Sequence, residues 1–193
     1  MKTGNKLNSV IIFLAAIAFV LGCSGTGGDQ RDEANKLVDQ ANKKLEDAKA
    51  LYAKTETRNA VLFGVKIQTV PQLQAYKAKM SGEAKSIVAD YEKVSDMLKE
   101  VSKQYDDISR LNLNDKYKEY AKLKADEFSK RAEAVGVSKG DAQAFAEISD
   151  PRVMKSKFEE NKTKSDKLFK DAVDISEKAK KIEEENKDVF KQK

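Results

Sequence analysis

Residues 80–109 read MSGEAKSIVADYEKVSDMLKEVSKQYDDIS, and within them Met80, Ala84, Ile87, Tyr91, Val94, Leu98, Val101, Tyr105 and Ile108 fall alternately four and three residues apart without a break. Such positions share one side only in an α-helix, where 3.6 residues complete a turn. A strict repeat of seven is slightly shorter than two natural turns, so the apolar side stays in contact only if the helix winds left-handedly around its neighbours. The stretch therefore predicts a long helix packed along its whole length in a coiled-coil-like bundle. Its start is written at Thr69-Val70-Pro71-Gln72. Thr69 can accept from an exposed first-turn amide, Gln72 can answer it three residues later, and Pro71 has no amide to satisfy. Running to about residue 111, this helix would be about 60 Å long at 1.5 Å per residue.

Outward from this helix, the same spacing recurs. Ala34, Val38, Ala41, Leu45, Ala48 and Tyr52, widened by Leu37 and Leu51, predict a first helix from about Asp29 or Arg31 into the low sixties. It ends in a dense apolar patch, Val61-Leu62-Phe63-Gly64-Val65-Lys66-Ile67, expected at a buried end of the bundle, with Gly64 marking a helix end or a close approach. Asn112-Leu113-Asn114-Asp115 reads as a turn, because asparagine and aspartate satisfy local amides and favour helix starts. A third helix follows with Tyr117, Ala121, Ala125, Phe128, Ala132 and Val135 on one side. Gly136 and Gly140, with Ser138 as a candidate cap, predict an interruption by a kink or a loop and then a short helix from Ala142 to Ile148, which leaves 135–150 open between one kinked helix and two short ones. Asp150-Pro151 is a strong start for the last helix, whose seam is Met154, Phe158, Asn161, Ser165, Leu168, Ala172, Ile175, Ala179, Ile182, Asn186 and Val189. The polar members of that seam either fix register or mark turns that are merely exposed. Short connections between long helices make an elongated, antiparallel, up-and-down all-α bundle the expected fold.

The N-terminus has a different character. Lys2 and Lys6 precede the unbroken apolar run Val10 to Leu21, about 12 residues against the roughly 20 that a bilayer span needs. The run leads into Val20-Leu21-Gly22-Cys23-Ser24, and Cys23 is the only cysteine, which excludes an intramolecular disulfide. This zone resembles the lipobox of bacterial lipoproteins, with Val20 where leucine is commoner. The resemblance implies a signal peptide over residues 1–22, its helix removed by cleavage after Gly22. It further implies diacylglycerol on the Cys23 sulfur and acylation, palmitate-like, of the new amino group. Two or three acyl chains anchor far more firmly than one. Residues 23–29, rich in glycine, then form a flexible tether, and residues 30–193 the bundle domain. The expected address is the bacterial cell envelope, with the domain outside the cytoplasm. Ser24 is compatible with the outer membrane if the cell is Gram-negative.

Composition narrows the function. Without Lys2 and Lys6 the net charge of +5 falls to about +3, with both signs interleaved, which describes a solvated helical surface and no nucleic-acid face. Histidine is absent, so Ser-His-Asp, Cys-His and histidine-bearing metal sites are excluded. Glu159-Glu160 and Glu183-Glu184-Glu185 lack the loop geometry of calcium sites. Gly25-Thr26-Gly27-Gly28 lacks the strand and the Gly-Lys-Ser/Thr of a phosphate loop. Tyr91 and Tyr105 belong to the core more naturally than to a ligand groove. Lys178, Lys180, Lys181, Lys187, Lys191 and Lys193 complement a helix dipole or meet anionic headgroups. No catalytic residue, metal or cofactor is therefore expected. The chain reads as a membrane-anchored, non-catalytic helical binding or scaffold module, contacting another envelope protein or a second copy of itself along an exposed seam. A structural link from membrane to peptidoglycan, or a carrier of a small apolar ligand, is the alternative.

Overall fold

Thr69 opens the longest helix in the way its neighbours require. Its side chain accepts from the Gln72 amide at 3.4 Å, while the Gln72 side chain accepts from the Thr69 amide at 3.2 Å. This capping box satisfies two of the amides that every helix start leaves open. The structure is a computed structural model that describes residues 30–65, 67 and 69–190; the expected signal peptide over 1–22, the expected tether over 23–29 with Cys23, and the last three residues lie outside them. The described residues form α1 (Arg31–Phe63), α2 (Val70–Ser109), α3 (Asp115–Glu147), α4 (Pro151–Glu185) and the short α5 (Lys187–Phe190). Asn114 caps α3 through the Lys116 amide, and Asp150 caps α4 through the Arg152 amide ahead of Pro151.

Neighbours in sequence are neighbours in space: α1 packs on α2, α2 on α3 and α3 on α4. Each pair runs antiparallel. Lys44 reaches Glu100, whereas Arg58, farther along α1, reaches Glu83 and Asp90 at the other end of α2. Ser95 and Ser102 of α2 donate to the Ala132 and Ala125 carbonyls of α3, again in opposite order. The fold is thus the expected all-α up-and-down bundle.

The core follows the predicted seams. Ala84, Ile87, Tyr91, Val94, Leu98, Val101, Tyr105 and Ile108 of α2 are all buried, with Met80 half-buried. All six predicted positions of α1 are buried, joined by Thr55 and Leu62, and α3 contributes Ala121, Ala125, Phe128, Ala132, Val135, Ala142 and Phe145. One continuous apolar cluster results, and its fully buried members come from α1, α2, α3 and the turn residue Leu113. The last helix reaches that cluster only through half-buried Met154, Phe158 and Phe169.

Three expectations need correction. First, α3 is not interrupted: it runs unbroken through Gly136, Ser138 and Gly140 to Glu147. Two glycines cost about 1 kcal/mol each in a helix interior, and packing against helices on both sides outweighs that. Ser138 is no cap; its hydroxyl donates back to the Ala134 carbonyl at 3.2 Å. Second, the 61–67 patch divides. Leu62 is buried, but Val61 and Val65 are exposed, because the helix ends at Gly64 and only one side of its last turn meets the bundle. Third, only Asn161, Ser165, Ala172 and Ala179 of the α4 seam are buried, since α4 has a full-length neighbour in α3 alone. Asn186 does not continue that seam. Its side-chain amide donates to the Ile182 carbonyl at 2.8 Å and closes the helix, and α5 turns Phe190 back onto Tyr117 and Tyr120.

These differences in burial set the order of sensitivity. Leu98→Ala should cost about 3 kcal/mol, because a filled site becomes a cavity, whereas Ile175→Ala on half-buried α4 should cost about 1 kcal/mol. Urea denaturation of the two variants checks the ranking.

Candidate functional site

Of the positions singled out in the sequence, Val20, Leu21, Gly22 and Cys23 lie outside the described residues, as do Lys191 and Lys193. The acidic clusters are drawn into helical ion pairs: Lys155 with Glu159, Lys157 with Glu160, Lys180 with Glu184 and Lys181 with Glu185. Among the described residues, no group of three histidine, cysteine, aspartate or glutamate side chains is arranged to hold a metal ion. Tyr91 is core, its ring edge-on to Tyr52 and its hydroxyl donating to Glu56 at 2.5 Å. Tyr105 is stacked on Phe128 at 5.6 Å. Burial, with Glu56 nearby, pushes the Tyr52 and Tyr91 hydroxyls far above the ordinary tyrosine range. Both therefore stay protonated as structural donors.

The polar groups that the fold does bring together lie between α3 and α4. Glu127, Arg131, Ala134, Ser138 and Asp141 alternate by four and three residues, so they form a second stripe on α3 beside its apolar one. Asn161 donates to Asp141 Oδ1 at 2.9 Å. Ser165 Oγ lies 3.3 Å from Ser138 Oγ and 3.4 Å from the Ala134 carbonyl oxygen to which it donates. Gly140 admits this approach: a Cβ there would come within 2.9 Å of Asn161 Nδ2. Lower along the stripe, Glu127 is 3% exposed and Arg131 5%. The Glu127 carboxylate accepts from Arg131 Nε at 2.9 Å and Nη2 at 2.8 Å on one oxygen, and from Lys124 Nζ at 2.6 Å on the other. The Lys124 ammonium also sits 4.8 Å from the Phe128 ring centre, a cation–π contact. A buried charge tolerates that environment only when it is paired and its hydrogen bonds are filled.

Sequence reasoning passed over this stripe. Its spacing was as regular as that of the core, but charged side chains read as solvent-facing until a neighbouring helix covers them. Glu183 of α4 belongs to the same region. Burial is the main cause raising its carboxyl above the usual carboxylate value, with Glu184 adding to the shift and Lys124 and Lys180 opposing it.

The bundle has two unlike poles. At one, the Gln30 amide donates to the Asn112 carbonyl at 3.3 Å, the Asn112 amide donates to Gln30 Oε1 at 2.8 Å, and Phe190 lies 5.3 Å from Tyr117 and 5.1 Å from Tyr120. The described chain thus begins and ends at this pole. At the other, Phe63 meets Phe158 at 4.7 Å and Phe145 at 5.8 Å, and Lys77 donates to the Ile148 carbonyl at 2.8 Å. The large apolar side chains that stand exposed among the described residues, Val61, Val65, Val70 and Val153, belong to segments that end or begin at this second pole.

No described helix is long and apolar enough to cross a membrane. Comparison with protein-family models, with curated proteins and with solved structures finds no match to this chain.

Two measurements test the energetics of the seam. Arg131→Ala, which leaves the buried Glu127 carboxylate with Lys124 on one oxygen and no cation on the other, should lower stability by about 3 kcal/mol, whereas Lys162→Ala in the exposed pair with Asp166 should change it by less than about 1 kcal/mol. Denaturant titration distinguishes them. For Glu183, a raised folded pKa means that the folded state holds the proton more tightly than the unfolded one. Stability from this group therefore declines as pH rises from its ordinary value of 4.5 through the folded value. Glu183→Gln removes that decline, so thermal melts should show a Tm gain of about one to three degrees at pH 7 and almost none at pH 4.

Proposed function

We propose that this chain is a lipid-anchored helical rod of a bacterial cell envelope, a non-catalytic module that meets a partner protein at a distance from its own membrane. The observation that carries the proposal is the separation of the poles. The first described residue lies beside Asn112 and the last described residues return to Tyr117 and Tyr120, so both ends of the described segment sit at one pole. The opposite pole is about 50 Å away along a 33-residue helix. The residues between Cys23 and Gln30 span at most about 25 Å when fully extended. An anchor on Cys23 would hold the near pole at the lipid and leave the far pole projecting.

Among the described residues, few large apolar side chains stand exposed for a partner to grip. The long α2 seam is filled by α1 and α3, so it is not an exposed seam open to a partner. Val61, Val65, Val70 and Val153 at the far pole are the large apolar side chains that stand exposed among the described residues, not merely half-buried. The support from sequence is the charged and apolar leader ending at the single cysteine.

The anchor is tested by intact-mass spectrometry of the mature protein, which should begin at Cys23 and carry the mass of two or three acyl chains. Cys23→Ala should move the protein from the membrane fraction to the aqueous one. An unmodified thiol in wild-type protein would sink the anchor. Photo-crosslinkers at Val65 and at Arg110 test the contact, and adducts from the Val65 position alone are the expected outcome.

A further inference from the structure

We infer that α4 is a strap, hinged at Ile148–Asp150 and latched by Phe190, that opens as a unit from a bundle of α1, α2 and α3 that keeps its own core. Such a strap would open wherever the chain is anchored. The interfaces differ in composition. The fully buried members of the main apolar cluster come from α1, α2, α3 and Leu113, so departure of α4 strips none of its own residues from that set. What α4 buries completely is small or polar: Asn161, Ser165, Ala172 and Ala179. Such groups contribute far less transfer free energy than the leucine, isoleucine and tyrosine side chains joining α2 to its neighbours.

The surface that α4 covers is also suited to release. Glu127, Arg131, Ser138 and Asp141 line it, and water can take over each hydrogen bond that α4 now supplies or shields. The opposite side of α3, built of Ala121, Ala125, Phe128, Ala132, Val135 and Ala142, has no such tolerance and stays against α2 in the main apolar cluster. A helix with one dry side and one wettable side fits a permanent partner on the first and a removable one on the second.

The larger contacts of the strap are placed at its two ends. At the hinge end, Phe158 packs edge-on to Phe63 beside the short connection that Lys77 holds through the Ile148 carbonyl. At the free end the chain breaks at Asn186, and α5 lays Phe190, 9% exposed, against Tyr117 and Tyr120. Between them only Phe169 reaches the main cluster. Release of Phe190 therefore frees the strap from its far end inward.

Hydrogen exchange read by mass spectrometry on the full chain tests the strap. Under native conditions the amides of residues 155–180 should exchange at least tenfold faster than those of residues 84–105. Phe190→Ala should widen the gap by a further tenfold or more without altering α2. A disulfide between Ser138→Cys and Ser165→Cys, whose hydroxyls lie 3.3 Å apart, should slow α4 exchange towards the α2 rate. The proposal is overturned if wild-type α4 exchanges at the rate of α2, or if Phe190→Ala accelerates every helix alike. Should the cysteine pair fail to close, the wild-type and Phe190→Ala profiles still separate a strap that opens alone from a bundle that opens as a whole.

Discussion

Burial of the α2 seam is the constraint from which the remaining structure follows. Eight successive seam residues from Ala84 to Ile108 are withdrawn from water, and each large apolar side chain so buried contributes about 1.5–3 kcal/mol. A stripe of that length can be covered only by helices of comparable length on both flanks, and α1 and α3 are those helices. Short turns then force antiparallel order, because a chain leaving one pole has too few residues to return before packing again.

The third helix inherits two obligations. One side must complete the apolar core, and the other must receive α4. Small residues and Gly140 allow a close backbone approach on that second side, and the buried triad of Lys124, Glu127 and Arg131 supplies its charge balance. All three side chains stand on α3 itself, so the triad balances the charge on the side that α4 covers and is a poor source of net stability. The same polarity makes the contact with α4 weaker than the contacts inside the three-helix core.

Polarity along the rod has a comparable logic. One pole gathers the first and last described residues and the ring cluster of Tyr117, Tyr120 and Phe190; the other leaves valines in water. Under the proposed anchoring at Cys23, the pole with the exposed valines would be the membrane-distal one, which suits a rod that reaches a partner across a gap. Such a role needs no reactive side chain.

The sequence alone determined the helices, their caps and the main core, because those depend on local spacing: Thr69 with Gln72, Asn114, Asp150 before Pro151, and the seven-residue repeats of α1 and α2 are legible without any neighbour. It also contains the pattern ending at Cys23, whose proposed processing would be covalent chemistry that needs no fold. Tertiary structure decided what spacing cannot express. It kept α3 continuous through Gly136 and Gly140, since packing from both sides outweighs a local preference of about 1 kcal/mol per glycine. It turned Glu127 and Arg131 inward, left Leu168 and Ile175 half in water, and ended α4 at Asn186. In each case the outcome depends on which helix stands alongside, and burial belongs to a pair of surfaces while a sequence pattern describes only one of them.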